Sequence, residues 1–121
     1  MAFAHITLAT RDVQKTKTFF EQTFGWKPID RPQNINMQAD WLQIAPGQEM
    51  HLLEVADFEP SAFEQEFGRH IAVSYPHTEF PALQTRLKEA GAELIDPLRE
   101  SDNPRFFFKD PNGYMFEVVA E

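Results

Sequence analysis

A chain of 121 residues with 42% hydrophobic content, twelve Phe and two Trp has enough apolar surface for one packed domain, or for two half-size modules sharing a core. Nineteen acidic against eleven basic residues leave a net charge of −8, the wrong balance for displacing counterions from a nucleic acid. No apolar run approaches the ~20 residues that span a bilayer, no export signal opens the chain, and without cysteine there are no disulfides, thiolate metal sites or thiol nucleophiles, so a cytoplasmic protein with neither membrane nor nucleic-acid partners is expected.

The first element is a strand over residues 3–10, from its alternation and β-branched content. Asp12 offers an N-cap to a helix whose Val13, Thr16, Phe20 and Phe24 recur at helical spacing, and Gly25 offers its C-terminal stop. Three short strands follow near 26–31, 37–45 and 49–56, punctuated by Pro32, Asn34, Pro46 and Gly47. The acidic segment after them, with Pro60 and Gly68, is expected to be a connector over 58–68 with a short helix after Ser61. The second half repeats the order. A strand covers residues 70–75, Thr78 is the expected cap of a helix with a Phe80, Leu83, Leu87 and Ala90 stripe, and Gly91 closes it. Strands near 93–96, 104–109 and 114–120 complete the chain, the last two joined by the turn signal Asp110-Pro111-Asn112-Gly113.

Sliding one half over the other by about 65 residues aligns His5-Ile6-Thr7-Leu8 with His70-Ile71-Ala72-Val73 and brings Gly25 to within one residue of Gly91. The expectation is therefore an α+β fold of two βαβββ modules, 1–57 and 69–121, whose mixed sheets line a cup.

Strand parity selects the side chains for that cup. In the first strand Ile6, Leu8 and Thr10 suit the helix side, which leaves His5 facing the cup. The same reasoning turns His70 inward in the second module and, with Phe116 and Val118 on the helix side, Glu117 as well. Met50 and Leu52 against the helix would turn His51 inward, with Glu54, of opposite parity, as its substitute. If the turn at 110–113 sets the register, Phe106 sits opposite Glu117 and Phe108 opposite Met115, and these two with Trp41 become candidate walls for a substrate. A single strand histidine is more often a packed or surface residue than a ligand. Three of the four histidines at repeat-equivalent inward positions point instead to a divalent ion such as Zn, Ni, Fe or Mn. His77, before the second helix, is the one left out.

The run from His5 through Phe19-Phe20 to Phe24-Gly25-Trp26, the segment Gly68-Arg69-His70-Ile71-Ala72, and the hairpin Phe108-Lys109-Asp110-Pro111-Asn112-Gly113-Tyr114-Met115-Phe116-Glu117 resemble the vicinal oxygen chelate superfamily of glyoxalases, bleomycin resistance proteins and extradiol dioxygenases. The resemblance covers the whole chain. It implies metal ligands at His5, His51, His70 and Glu117, a small-molecule substrate, and a homodimer in which Phe58, Phe63 and Phe67 of the connector could pack. The activity it implies is that of a glyoxalase-like lyase or isomerase, in which the ion chelates two neighbouring oxygens and Glu117 shuttles the proton. Its rivals are a metal-free antibiotic-binding protein and an iron-dependent dioxygenase. Three departures separate this chain from familiar members. His51 stands where bacterial glyoxalase I has a glutamate, Pro104–Phe108 lacks the histidine of extradiol dioxygenases, and Phe107 occupies the strand where fosfomycin thiol transferases place a tyrosine.

Overall fold

The computed structural model describes all residues, 1–121, and they divide into two compact units, Met1–Phe58 and Glu59–Glu121. In the first unit β1 (His5–Thr10) leads into α1 (Val13–Thr23), and β2 (Lys27–Ile29), β3 (Ala39–Ala45) and β4 (Gln48–Glu54) follow. Their sheet has the order β1-β4-β3-β2, with β1 parallel to β4 and the other pairs antiparallel. Asp12 caps α1 as expected, its carboxylate accepting the Lys15 N–H at 3.1 Å. Gly25, at φ 74°, turns the chain away after the last helical residue in the left-handed region that a side chain would resist.

Helix α1 buries Val13, Thr16, Phe19, Phe20 and Thr23. Two polar contacts fix which sheet face it covers. The Thr10 and Thr16 hydroxyls hydrogen-bond to each other, and the Glu54 carboxylate accepts the Val13 N–H at 3.1 Å. The helix side of the sheet therefore carries Leu8, Thr10, Met50, Leu52 and Glu54, with Leu52 and Met50 fully buried. His5, Thr7, Trp41, Glu49 and His51 share the opposite face. Glu54 is committed to the helix N-terminus and cannot substitute for His51.

The second unit has the same topology. β5 (Ile71–Tyr75), α2 (Phe80–Glu89), β6 (Glu93–Ile95), β7 (Arg105–Lys109) and β8 (Met115–Ala120) form a sheet of order β5-β8-β7-β6, again with its first and last strands parallel. Phe80, Leu83 and Leu87 form the buried stripe of α2. Its start differs from expectation. A 3₁₀ turn over His77–Glu79 precedes it and Glu79 is the capping residue, without a side-chain cap, so Thr78 does not cap the helix. Pro81 lies in the first turn, where its missing N–H leaves no donor to satisfy.

Segment 57–68 contains no helix. It runs through turns and an isolated bridge from Glu64 to Arg69, and from Glu59 onward it belongs to the second unit. Buried Glu64 explains why, because its carboxylate takes the Met115 N–H at 2.7 Å and the Arg69 guanidinium at 2.9 Å, contacts that draw the segment onto β8.

The register of β7 on β8 is offset by one residue from the expected one. Phe107, and not Phe106, lies opposite Glu117, while Phe108 faces Phe116 and Lys109 faces Met115. The cause is the turn. One Asp110 carboxylate oxygen, Oδ1, accepts both the Asn112 and the Tyr114 N–H at 3.0 and 2.9 Å, and Gly113 follows at φ 91°. A turn closed by a left-handed glycine makes a three-residue loop, one longer than the two-residue hairpin assumed from sequence. The extra residue flips the whole strand face. No helix of the protein is long and apolar enough to cross a membrane.

Candidate metal centre

Each unit brings two of the four expected ligands together across its first and last strands. In the second unit His70 precedes β5 and Glu117 lies on β8, with His70 Nε2 3.1 Å from Glu117 Oε1. The other ring nitrogen, Nδ1, lies 3.3 Å from the Gln65 carbonyl oxygen. A carbonyl can only accept, so a hydrogen bond there uses a proton on Nδ1, and Nε2 then meets Glu117 either through a second proton or through a bound cation. A carboxylate oxygen is also only an acceptor. Two acceptors facing each other at 3.1 Å require a second proton or a cation to join them.

The 3.1 Å spacing is that of a direct N–H···O hydrogen bond and is equally compatible with two donors of one cation. Two ligand atoms about 2.1 Å from one divalent ion and at right angles around it lie about 3 Å apart. The Nδ1 contact with a backbone carbonyl is also the outer-shell arrangement that orients metal-binding histidines. On the chemistry of this pair, the second unit fits a divalent metal.

Glu117 is itself held. Its second oxygen, Oε2, accepts from Arg105 Nη1 at 3.0 Å, while Arg105 Nη2 donates to Glu66 Oε2 at 2.9 Å and to the Arg99 carbonyl at 2.7 Å. The Arg105 side chain is only 5% exposed and lies over the Phe107 ring at 5.3 Å. Its bond to Glu66 leads the contacts that raise the guanidinium above its ordinary pKa, in spite of desolvation. Removal from water works to raise the Glu66 pKa, but the Leu98 N–H, Arg105 and the Arg99 N–H together prevail and lower it to about 2. Phe107 is fully buried and meets the His70 ring edge-on at 5.3 Å.

The first unit is arranged differently. His51 is sandwiched between Trp41, centroid to centroid at 3.4 Å, and His5 at 4.0 Å, all three rings being nearly parallel. His51 Nε2 lies 2.9 Å from Glu49 Oε1, and the residue is only 7% exposed. Ring lone pairs lie in the ring plane, so two parallel rings 4.0 Å apart cannot aim at the same ion. The expected pairing of His5 with His51 on one metal is not available in this stack, and His51 is the one already engaged. Within the chain no group of three or more His, Cys, Asp or Glu side chains is drawn together as a metal cluster.

The expected wall residues separate by face. Trp41 shares the His51 face, with its indole N–H buried and unpartnered. Phe106 packs edge-on against Phe80 of α2, and Phe108 stacks on Phe116, so both belong to the helix-side core. Phe107 takes the position beside Glu117 that sequence assigned to Phe106. Sequence reasoning also missed Arg105, Glu66 and Glu49. Glu49 was open to the parity argument, lying two residues before His51, and Arg105 would have followed from the correct register.

Comparison with known proteins agrees with the architecture. A plant protein named Glyoxylase I 4, from Arabidopsis thaliana, is 25% identical over 94% of this chain and 67% of its own length. Metallothiol transferase FosB from Shouchella clausii is 26% identical over 94% of this chain and 76% of its own. In fold, the chain matches a variant of the fosfomycin resistance protein FosX from Listeria monocytogenes, crystallised with Mn(II) and 1S,2S-dihydroxypropylphosphonic acid, with a TM-score of 0.81 at 24% identity, covering 98% of this chain and 91% of that one. Residues 2–118 match the family described as the Glyoxalase/Bleomycin resistance protein/Dioxygenase superfamily, and the chain belongs to that family.

Proposed function

We propose that this protein is a metal-dependent enzyme of the glyoxalase-like lyase or isomerase type, acting on a small molecule with two neighbouring oxygens. The observation that carries the reading is the juxtaposition of His70 Nε2 and Glu117 Oε1 at 3.1 Å, two donor atoms that one divalent ion could take up in place of the proton between them. Relatives named as a glyoxalase I and a metallothiol transferase support it. His70 and Glu117 are the ligands argued from geometry. His5 is the third, argued from its repeat-equivalence to His70, and His51 is the weakest of the set because of its bond to Glu49.

Bound there, a divalent ion would supply electrophilic charge to substrate oxygens. The chain's own residues do the rest. Glu117 has one oxygen toward His70 and the other on Arg105, which favours a fixed ligand over the proton shuttle expected from sequence. The Glu49–His51 couple is the better candidate to move a proton, because Glu49 orients the imidazole through its contact at Nε2. Trp41 and Phe107 are the apolar surfaces that would exclude water from the two faces. A homodimer belongs to the same reading and is checked by sedimentation equilibrium.

Metal analysis of protein prepared without chelators tests the proposal. Stoichiometric metal in the parent, lost in Glu117→Gln and His5→Ala with the circular dichroism spectrum unchanged, is the expected result. Metal-free protein that takes up no added Mn(II), Ni(II), Zn(II) or Fe(II) would sink it in favour of a binding protein. Oxygen consumption with Fe(II) and a catechol would favour a dioxygenase.

A further inference from the structure

The segment just before β5 holds both donors of the second unit at once. The Gln65 carbonyl accepts from His70 Nδ1, and Glu66, the next residue, takes one arm of the Arg105 fork whose other arm holds Glu117. Glu66 is in turn anchored by the Leu98 and Arg99 N–H groups at 2.6 and 3.1 Å, in the loop that leads into β7. Two adjacent residues of one segment thus orient two side chains that are 47 positions apart in sequence.

We infer that Gln65 and Glu66 form a positioning clasp for the His70–Glu117 donor pair, with Arg105 as the positioning residue through which Glu66 acts. This rests on the metal-binding reading above. Arg105 occupies one carboxylate oxygen and so limits Glu117 to presenting the other. Alone, a guanidinium in this buried position would repel a divalent cation at the adjacent oxygen. The Glu66 carboxylate, 2.9 Å from the same guanidinium, cancels that charge and leaves Glu117 with negative charge to offer. The roles are therefore separable. Arg105 sets direction and Glu66 sets charge balance, and neither touches the ion.

The test is Mn(II) binding to the full chain, read as loss of the free-ion electron paramagnetic resonance signal, with no substrate present. Glu66→Gln is expected to bind Mn(II) about 10- to 100-fold more weakly than the parent, the usual consequence of removing an outer-shell partner. The double variant Glu66→Gln/Arg105→Gln should bind no more weakly than Arg105→Gln alone, because Glu66 acts only through Arg105. Arg105→Lys keeps the charge but replaces two fixed, separate nitrogens with a single one, so it should show a comparable loss and serves if Glu66→Gln fails to fold. Asp12→Ala, which weakens α1 in the first unit and contacts no member of the clasp, should leave Mn(II) affinity unchanged and so separates positioning from general destabilisation. Parent-like affinity in Glu66→Gln and Arg105→Lys, with binding lost in Glu117→Gln, overturns the clasp and leaves the metal reading standing. Absence of Mn(II) binding in the parent overturns both.

Discussion

Asp110 is a buried carboxyl in the β7–β8 turn, and its titration gives a stability change that can be worked through. Burial, only partly offset by the Tyr114 and Asn112 N–H groups, raises it from an ordinary 3.8 to about 6. Oδ1 carries those backbone bonds, while Oδ2 is buried with no partner. An acid whose folded-state pKa is raised holds its proton more tightly in the folded chain. Its contribution is therefore most favourable below the unfolded value and is lost as the pH climbs from about 4 to 6. At about 1.4 kcal/mol per tenfold difference in proton affinity, the loss is about 3 kcal/mol, of which about 2.5 kcal/mol falls between pH 4 and 7.5.

Asp110→Asn is nearly isosteric with the protonated carboxyl and does not titrate. Its own desolvation cost is the same at both pH values and cancels when the two are compared. Urea unfolding of parent and variant, followed by fluorescence of Trp26 and Trp41, gives the stability difference at pH 4 and at pH 7.5. The variant is expected to gain about 2.5 kcal/mol relative to the parent between the first pH and the second. A difference that stays constant within about 0.5 kcal/mol across that window would refute the reasoning.

Gly113→Ala should destabilise the protein by more than about 1 kcal/mol, since its φ of 91° disfavours any side chain and the new Cβ would lie 2.9 Å from Pro60 Cγ; a thermal midpoint equal to that of the parent would contradict this. Phe106→Ala and Phe107→Ala should each cost about 3–5 kcal/mol, because both rings are buried. Only Phe107→Ala should move the His70 ring-proton resonances, since Phe107 alone touches that imidazole; matching shifts in both variants would argue against the observed register. Asp12→Ala should lose about 1 kcal/mol through the missing cap of α1, measurable by urea unfolding, and no loss would mean that water replaces the cap without cost.

Much of the architecture was legible because it depends on short-range rules. Alternation in β1 and β5 separates Leu8 and Val73 from His5 and His70, and a side-chain period of two needs no knowledge of the partner strand. Asp12 and Gly25 bound α1 through contacts within a few residues, and the matching order of elements in the two halves foretold two sheets of one topology. Thr78 failed as a cap where a 3₁₀ turn and Pro81 offered the helix another start. The one-residue error in β7 came from a single carboxylate, Asp110, gathering two N–H groups and lengthening the loop, a choice that sequence periodicity does not encode.

What the sequence determined by itself was the duplicated βαβββ plan and the pairing of His70 with Glu117 and of His5 with His51 on sheet faces opposite the helices. The tertiary structure alone decided that the first couple meets at 3.1 Å while the second lies stacked under Trp41, and that Arg105 bridges Glu117 to Glu66, 39 residues before Arg105 in the chain. The reason is physical. Face and turn preferences act between near neighbours in the chain, whereas ion pairs and ring stacks depend on distances that exist only after the strands have registered.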